Sequence, residues 1–223
     1  VVVWHQWPKG KIEGGMPEAL LNDICVQRLD EQGSALWQQN GVSLNITEVA
    51  EYSLPHNLKI ASDSSGGAII IWEDMRHVPE ISIYAQRVNA EGEKQWTDGG
   101  TPVCRMETGS SLMYELVSDG AGGILIGWWY NDAESEDKGK MLRIQRLDST
   151  GTIMWEPDGL PVSVDIKGQA TAPVVAADGR GGALITWGVG KYQYEPDRSY
   201  VQRIDAKGRR VWGDEGILLG HND

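Results

Sequence analysis

Apolar residues along this chain come in short runs and short alternations. The clearest stretch begins with Leu58-Lys59-Ile60-Ala61-Ser62, an apolar/polar alternation with the period of a half-buried strand. After the turn-like Asp63-Ser64-Ser65-Gly66-Gly67 comes Ala68-Ile69-Ile70-Ile71-Trp72, an apolar run of strand length rich in β-branched residues. Ile83-Tyr84-Ala85-Gln86-Arg87-Val88 reads as a third strand. Asn89-Ala90-Glu91-Gly92 reads as a second turn. Lys94-Gln95-Trp96 and Pro102-Val103-Cys104, separated by a Gly-Gly step, read as a broken fourth strand. The four are designated A to D in chain order.

This unit recurs. The pattern Gln-Arg-[Leu/Val/Ile]-[Asp/Asn]-x-x-Gly-x-x-x-Trp-x-x-x-Gly starts at Gln27, Gln86, Gln145 and Gln202, a step of 59, 59 and then 57 residues. Its tryptophans are Trp37, Trp96, Trp155 and Trp212, and its arginines are Arg28, Arg87, Arg146 and Arg203. Four short antiparallel strands in each repeat predict an all-β fold, a β-propeller of four-stranded blades. The expected blades cover residues 1–48, 49–106, 107–164 and 165–223 of a single propeller section. The turns agree with this. Asp63, Asp119 and Asp178 each open a Gly-Gly turn between strands A and B, and Asp30, Asn89, Asp148 and Asp205 stand three residues before the C–D glycine. An Asp or Asn side chain bonds backbone N–H groups two residues on, and glycine takes positive φ without strain.

The chain is out of phase with its own repeat. Val1-Val2-Val3-Trp4 matches Ile69-Ile70-Ile71-Trp72, so the first blade begins at strand B and lacks its innermost strand. Fifteen strands are expected: three full blades and one short of strand A. The expectation is a ring completed by residues elsewhere, with a self-closed four-bladed ring as the alternative.

Composition narrows the function classes. The net charge is −12 and the pI about 4.8, with no basic stripe, which argues against a nucleic-acid partner. No apolar run approaches the roughly 18 residues of a membrane span. Ten tryptophans stand against no phenylalanine. One Trp per blade would pack between neighbouring sheets, burying roughly 150–250 Å². Cys25 and Cys104 have no metal-ligand spacing and read as buried free thiols, with a disulfide as the alternative.

The runs Ser-Asp-Gly-x-Gly-Gly-[Ala/Ile]-[Leu/Ile]-[Leu/Ile]-x-Trp and Tyr-x-Gln-Arg-[Leu/Val/Ile]-[Asp/Asn]-x-x-Gly-x-x-x-Trp resemble repeats of secreted and cell-surface bacterial propeller proteins. These are of the Bacteroidetes type, and many are cargo of type IX secretion. The resemblance covers nearly the whole chain. It extends loosely to Asp-box propellers, whose spacings are shorter. It implies a secreted or cell-surface β-propeller and transfers no catalytic residue.

Function is expected on loops. The A–B and C–D turns are short and nearly constant, whereas the B–C loops (residues 5–22, 73–81, 130–140 and 188–199) and the D–A connections vary. In an antiparallel blade these variable connections share one face, where a rigid scaffold usually places binding. The candidate ligand contacts there are His5, Trp7, His77, Trp129, Tyr130, Tyr192 and Tyr194. Aromatic faces beside acids and amides suit sugar rings, and Trp and Tyr equally dominate protein interfaces. Asp132, Glu134, Glu136 and Asp137 form an oxygen-rich loop, a candidate calcium site and otherwise a solvated tip. The four repeat arginines fall on strand C and are expected to pair with carboxylates or stack on the repeat Trp.

No metal-spaced histidines, phosphate-binding glycine loop or nucleophile elbow is present, so the expectation is no enzyme and no cofactor, with a glycoside-acting enzyme built on a facing pair of carboxylates as the alternative. Asn45-Ile46-Thr47 is a sequon. The sequence therefore points to an extracellular, non-catalytic module for glycan or protein ligands. The alternative is a structural building block of a surface assembly. Further blades or another chain completing the ring are the implied partners.

Overall fold

The computed structural model describes residues 1–6, 23–44, 56–74, 76–77, 81–106, 114–131, 140–164, 168–191 and 196–221. Those residues are all-β. They form four antiparallel sheets, each one propeller-like blade. Contacts divide the chain into two compact units, Val1–Arg105 and Met106–Asp223.

In the first unit, blade 1 holds β1 (Val2–Gln6), β2 (Asp23–Gln27) and β3 (Val42–Ser43), in the order β1-β2-β3. Blade 2 holds β4 (His56–Ser62), β5 (Ala68–Asp74), β6 (Ile81–Val88) and β7 (Thr101–Met106), in chain order. In the second unit, blade 3 holds β8 (Tyr114–Ser118), β9 (Ile124–Asn131), β10 (Lys140–Leu147) and β11 (Leu160–Pro161). Blade 4 holds β12 (Gln169–Ala170), β13 (Val174–Ala177), β14 (Ala183–Gly190), β15 (Arg198–Ile204) and β16 (Ile217–His221).

Two expectations need correction. Sixteen strands are present among the described residues, not fifteen, because strand A of blade 4 is split in two. Both pieces pair with β14, and Pro173 lies between them with no N–H to offer the ladder. Thr171 bridges the break: its N–H donates to the Gly188 carbonyl at 3.0 Å, and its hydroxyl accepts the Gly188 N–H at 3.0 Å. The second correction concerns strand D. Lys94-Gln95-Trp96 forms only an isolated bridge, Val88 to Lys94, and the strand proper is β7. The same bridge recurs at Leu29–Ala35, Leu147–Ile153 and Ile204–Arg210.

The core of each unit lies between consecutive sheets. In the first, Ile24, Val26, Trp37, Val42 and Leu44 of blade 1 meet Ile70, Trp72, Tyr84 and Val88 of blade 2. In the second, Leu125, Leu142, Ile144 and Trp155 of blade 3 meet Val175, Ile185, Trp187 and Ile204 of blade 4. In blade 2 strand B is buried on both faces, so Ala68–Trp72 of β5 reads as an unbroken apolar run where β4 alternates. The strand-B tryptophan also explains one motif glycine. A Cβ on Gly100 would sit 2.5 Å from the Trp72 ring, and Gly100 has φ of +92°. Only glycine satisfies both demands.

Candidate functional site

The two ends of the blades use their polar residues differently. At the A–B and C–D end, blades 2 to 4 repeat one set of contacts. The Asp63 carboxylate splits its oxygens: Oδ1 accepts the N–H groups of Ser65 (2.8 Å) and Gly67 (2.7 Å), and Oδ2 accepts Nε and Nη2 of Arg87 (3.1 and 3.0 Å). Asp119 with Arg146 and Asp178 with Arg203 repeat this arrangement. The repeat arginines of blades 2 to 4 thus pair with carboxylates. Both oxygens of these turn aspartates are occupied, which leaves no oxygen free for a cation.

The repeat glutamine is the residue that sequence reasoning missed. The Gln86 side chain is fully buried. Its Oε1 accepts the N–H groups of Arg87 and Trp96, both at 2.9 Å, and its Nε2 donates to the Thr97 carbonyl at 2.8 Å. Gln27, Gln145 and Gln202 do the same ten residues before Trp37, Trp155 and Trp212. The fixed Gln-to-Trp spacing was the available signal. The tryptophan then reaches the next blade. Trp37 Nε1 donates to the Ala90 carbonyl at 2.9 Å, with its ring against Gly92. Trp155 makes the same bond to Ala206 at 3.3 Å, with its ring against Gly208.

The B–C and D–A end differs from blade to blade. In blade 2 a register shift between His56 and Lys59 turns Asn57 to φ of +57° and brings its amide to Glu73. A bulge commonly re-aims a side chain in this way. The buried Glu73 carboxylate takes Asn57 Nδ2 at 2.5 Å and His56 Nε2 at 3.0 Å. Burial pushes its pKa up, against the opposing pull of Asn57 and His56. Next to it, buried Asp74 accepts Trp72 Nε1 (3.2 Å) and the Arg76 N–H, Nε and Nη2 (2.8, 3.0 and 2.5 Å). Arg76 also donates to the Gly99 carbonyl at 2.9 Å, and its guanidinium lies 3.8 Å over the Tyr84 ring. In blade 1, Ser43 Oγ hydrogen-bonds Asp23 Oδ2, while the buried Oδ1 of Asp23 has no partner among the described residues.

The sequence-selected residues fare unevenly. His5 is half-buried, and its pKa lies below 6.5, lowered by burial and then by the charge of His56. His77 is exposed in the turn after β5. Trp129 corrects an expectation. It is 3% exposed, and its Nε1 donates to the Thr171 carbonyl at 2.5 Å. The interrupted strand A of blade 4 leaves that carbonyl free, so Trp129 works as packing and offers no face to a ligand. Trp7, Tyr192, Tyr194, the side chain of Tyr130 and the acidic positions Asp132, Glu134, Glu136 and Asp137 lie outside the described residues, as does Asn45. Among the described residues no group of three or more His, Cys, Asp or Glu is placed to hold a metal. Cys25 and Cys104 are buried and unbridged. Burial, then the charge of Asp23, pushes the Cys25 thiol up to about 11.

Fold and site together define a class, an all-β repeat protein of propeller-like antiparallel blades. No protein-family model matches the chain, and neither does any curated protein.

Proposed function

We propose that this chain is a non-catalytic extracellular binding module that holds a protein ligand on the face formed by the B–C and D–A connections. One contrast carries the reading. At the opposite end the Gln contact recurs in all four blades and the Asp–Arg pair in blades 2 to 4, whereas the polar groups at the loop end do not recur. His56, Asn57, Glu73 and Arg76 belong to blade 2 alone. Non-repeating polar groups on a repeating frame are what recognition of a particular partner requires. A protein ligand is preferred to a glycan because no Trp or Tyr is exposed among the described residues. A sugar platform would rest on Trp7, Tyr130, Tyr192 and Tyr194. The extracellular setting rests on the resemblance of the repeats.

The second reading is a building block of a surface assembly. Among the described residues β1 stands at the edge of its sheet, which supports it, because strand edges are normally covered. Parallel screens against glycans and extracellular proteins test both readings, using the chain and two surface variants. His56→Ala/His77→Ala alters the loop face, and Arg180→Ala/Lys207→Ala alters the opposite face. A hit lost only in the first variant supports the proposal. One lost only in the second overturns the choice of face. A blank from folded protein transfers the weight to the building-block reading.

A further inference from the structure

Blade 4 carries a charge at its turn end that the other blades do not. Arg180 stands two residues after the aspartate that opens the A–B turn, where blades 2 and 3 have Ser65 and Ala121. In its C–D turn blade 4 has Lys207, Arg209 and Arg210. The same positions hold Glu91, Glu93 and Lys94 in blade 2, and uncharged residues in blades 1 and 3. The aspartates of the blade 4 turns bond the same backbone N–H groups as their counterparts, so the frame is unchanged and only its exposed residues differ. Four cations are thus gathered on one repeat of a chain whose net charge is −12.

A Cβ on Gly181 would stand 3.3 Å from Ala206 Cβ, so the A–B and C–D turns of blade 4 lie side by side. Arg180 joins the other three cations only because those turns meet. Arg180 and Lys207 are exposed, and neither side chain meets a carboxylate among the described residues. The aspartates of their own turns are engaged elsewhere. Asp178 holds its turn and Arg203, and Asp205 Oδ1 accepts the N–H groups of Lys207 (2.9 Å) and Arg209 (3.0 Å). Arg209 and Arg210 are steadied but stay accessible. Arg209 Nε donates to Asp205 at 2.8 Å with its side chain 70% exposed. Arg210 bridges the Pro161 carbonyl (3.3 Å) and Asp214 (2.7 Å). A guanidinium carries more N–H donors than these bonds use. Both arginines line a cavity of about 230 Å³ at the junction of blades 3 and 4, together with Glu156, Leu160, Pro161 and Gly208.

We propose that this tip and its cavity bind an acidic polysaccharide, a second ligand at the end opposite the loop face. Its carboxylate or sulfate groups pair with Arg180, Lys207, Arg209 and Arg210, and the planar guanidinium groups take two oxygens at once. Its hydroxyl groups donate to Glu156 and Asp214, which stand exposed beside the arginines. Those interleaved acids select the ligand. A chain as densely charged as a nucleic acid would bring phosphates against Glu156 and Asp214. A polyglutamate segment would bring carboxylates there, with no neutral donor on its side chains. An acidic sugar unit carries both an anion for the arginines and hydroxyls for the acids.

The test titrates dextran sulfate and polygalacturonate into the whole chain by isothermal titration calorimetry, with neutral dextran as the control. Saturable binding of at least one acidic polymer is expected, none of neutral dextran, and a decline as salt screens the charges. Binding of one polymer alone supports the proposal and names sulfate or carboxylate as the anionic group. Arg209→Gln/Arg210→Gln should weaken binding about tenfold or more. Lys94→Gln, in the matching turn of blade 2, should leave it unchanged. Arg180→Gln/Lys207→Gln, at side chains with no hydrogen bond among the described residues, keeps the test decisive if the first variant misfolds. The proposal is overturned by no saturable binding, by binding indifferent to the four cations, or by an equal loss in Lys94→Gln. Polyglutamate or single-stranded DNA binding as tightly as the polysaccharides at equal charge would also overturn it. Each of these failures leaves the loop-face reading standing, because that reading is tested on His56 and His77.

Discussion

Asp119 and Arg146 meet at 2.9 Å across 27 residues of chain, and the same carboxylate holds the turn that joins β8 to β9. One side chain therefore fixes both a local turn and the placement of strand C. The pair is mostly withdrawn from water, at 2% exposure for the Asp119 side chain and 15% for Arg146.

Removing one partner leaves the other charge buried and unpaired. Arg146→Ala should cost about 3 kcal/mol, at the low end for a buried pair because the arginine keeps some solvent. Arg28→Ala, at the position with no carboxylate, should cost roughly 1 kcal/mol or less. Urea unfolding of the two variants checks the contrast. Equal losses would mean that the ion pair adds nothing to the packing of the arginine stem.

The amide oxygen of Gln86 satisfies two backbone N–H groups, those of Arg87 and Trp96. Gln86→Ala should destabilise by about 2–4 kcal/mol, the cost of orphaning both donors. Gln38→Ala, on an exposed turn, should stay within about 0.5 kcal/mol. A small loss at Gln86 would show that water enters and takes over its bonds.

Trp155 is buried against Gly208 of the following blade, whereas Trp212, its counterpart in blade 4, is only half-buried. Trp155→Ala should cost about 3–5 kcal/mol. Trp212→Ala should cost roughly 1–2 kcal/mol, in proportion to the area it removes from water. Thermal unfolding of the two variants ranks them, and the reverse order would contradict the interblade role of the repeat tryptophan.

Stability should fall in acid through the turn aspartates. For Asp63, burial alone would raise the pKa, but the Ser65 N–H, the Arg87 guanidinium and the Gly67 N–H outweigh it and hold it below the ordinary value. Asp178 behaves alike, with burial opposed first by Arg203. As pH falls the unfolded chain takes up these protons first. The contribution is complete above the unfolded carboxyl value of about 3.9 and is lost as pH drops through the lower folded values. The urea midpoint should decline most steeply below about pH 4. Asp63→Asn should make that decline shallower, and an unchanged acid limb would rule Asp63 out as a contributor.

The sequence by itself indicated an all-β repeat of short antiparallel strands and its Asp-anchored turns. Those features are local. Strand burial shows as a period of two or as an unbroken run, and an Asp-anchored turn needs only its own next four residues. Trp155 reaches Ala206 across 51 residues, and no such spacing is written in either local pattern. Tertiary structure alone decided which long-range partners meet. It assigned Arg87, Arg146 and Arg203 to turn carboxylates, and Trp37 and Trp155 to the following blade. It buried Trp129 under the carbonyl that a broken strand leaves free, although its place beside a variable loop suggested exposure. It turned Asn57 inward through a bulge that no residue pattern announces. Among the described residues Arg28 meets no carboxylate and reaches the Ala90 carbonyl instead, a difference that its place in the repeat does not announce.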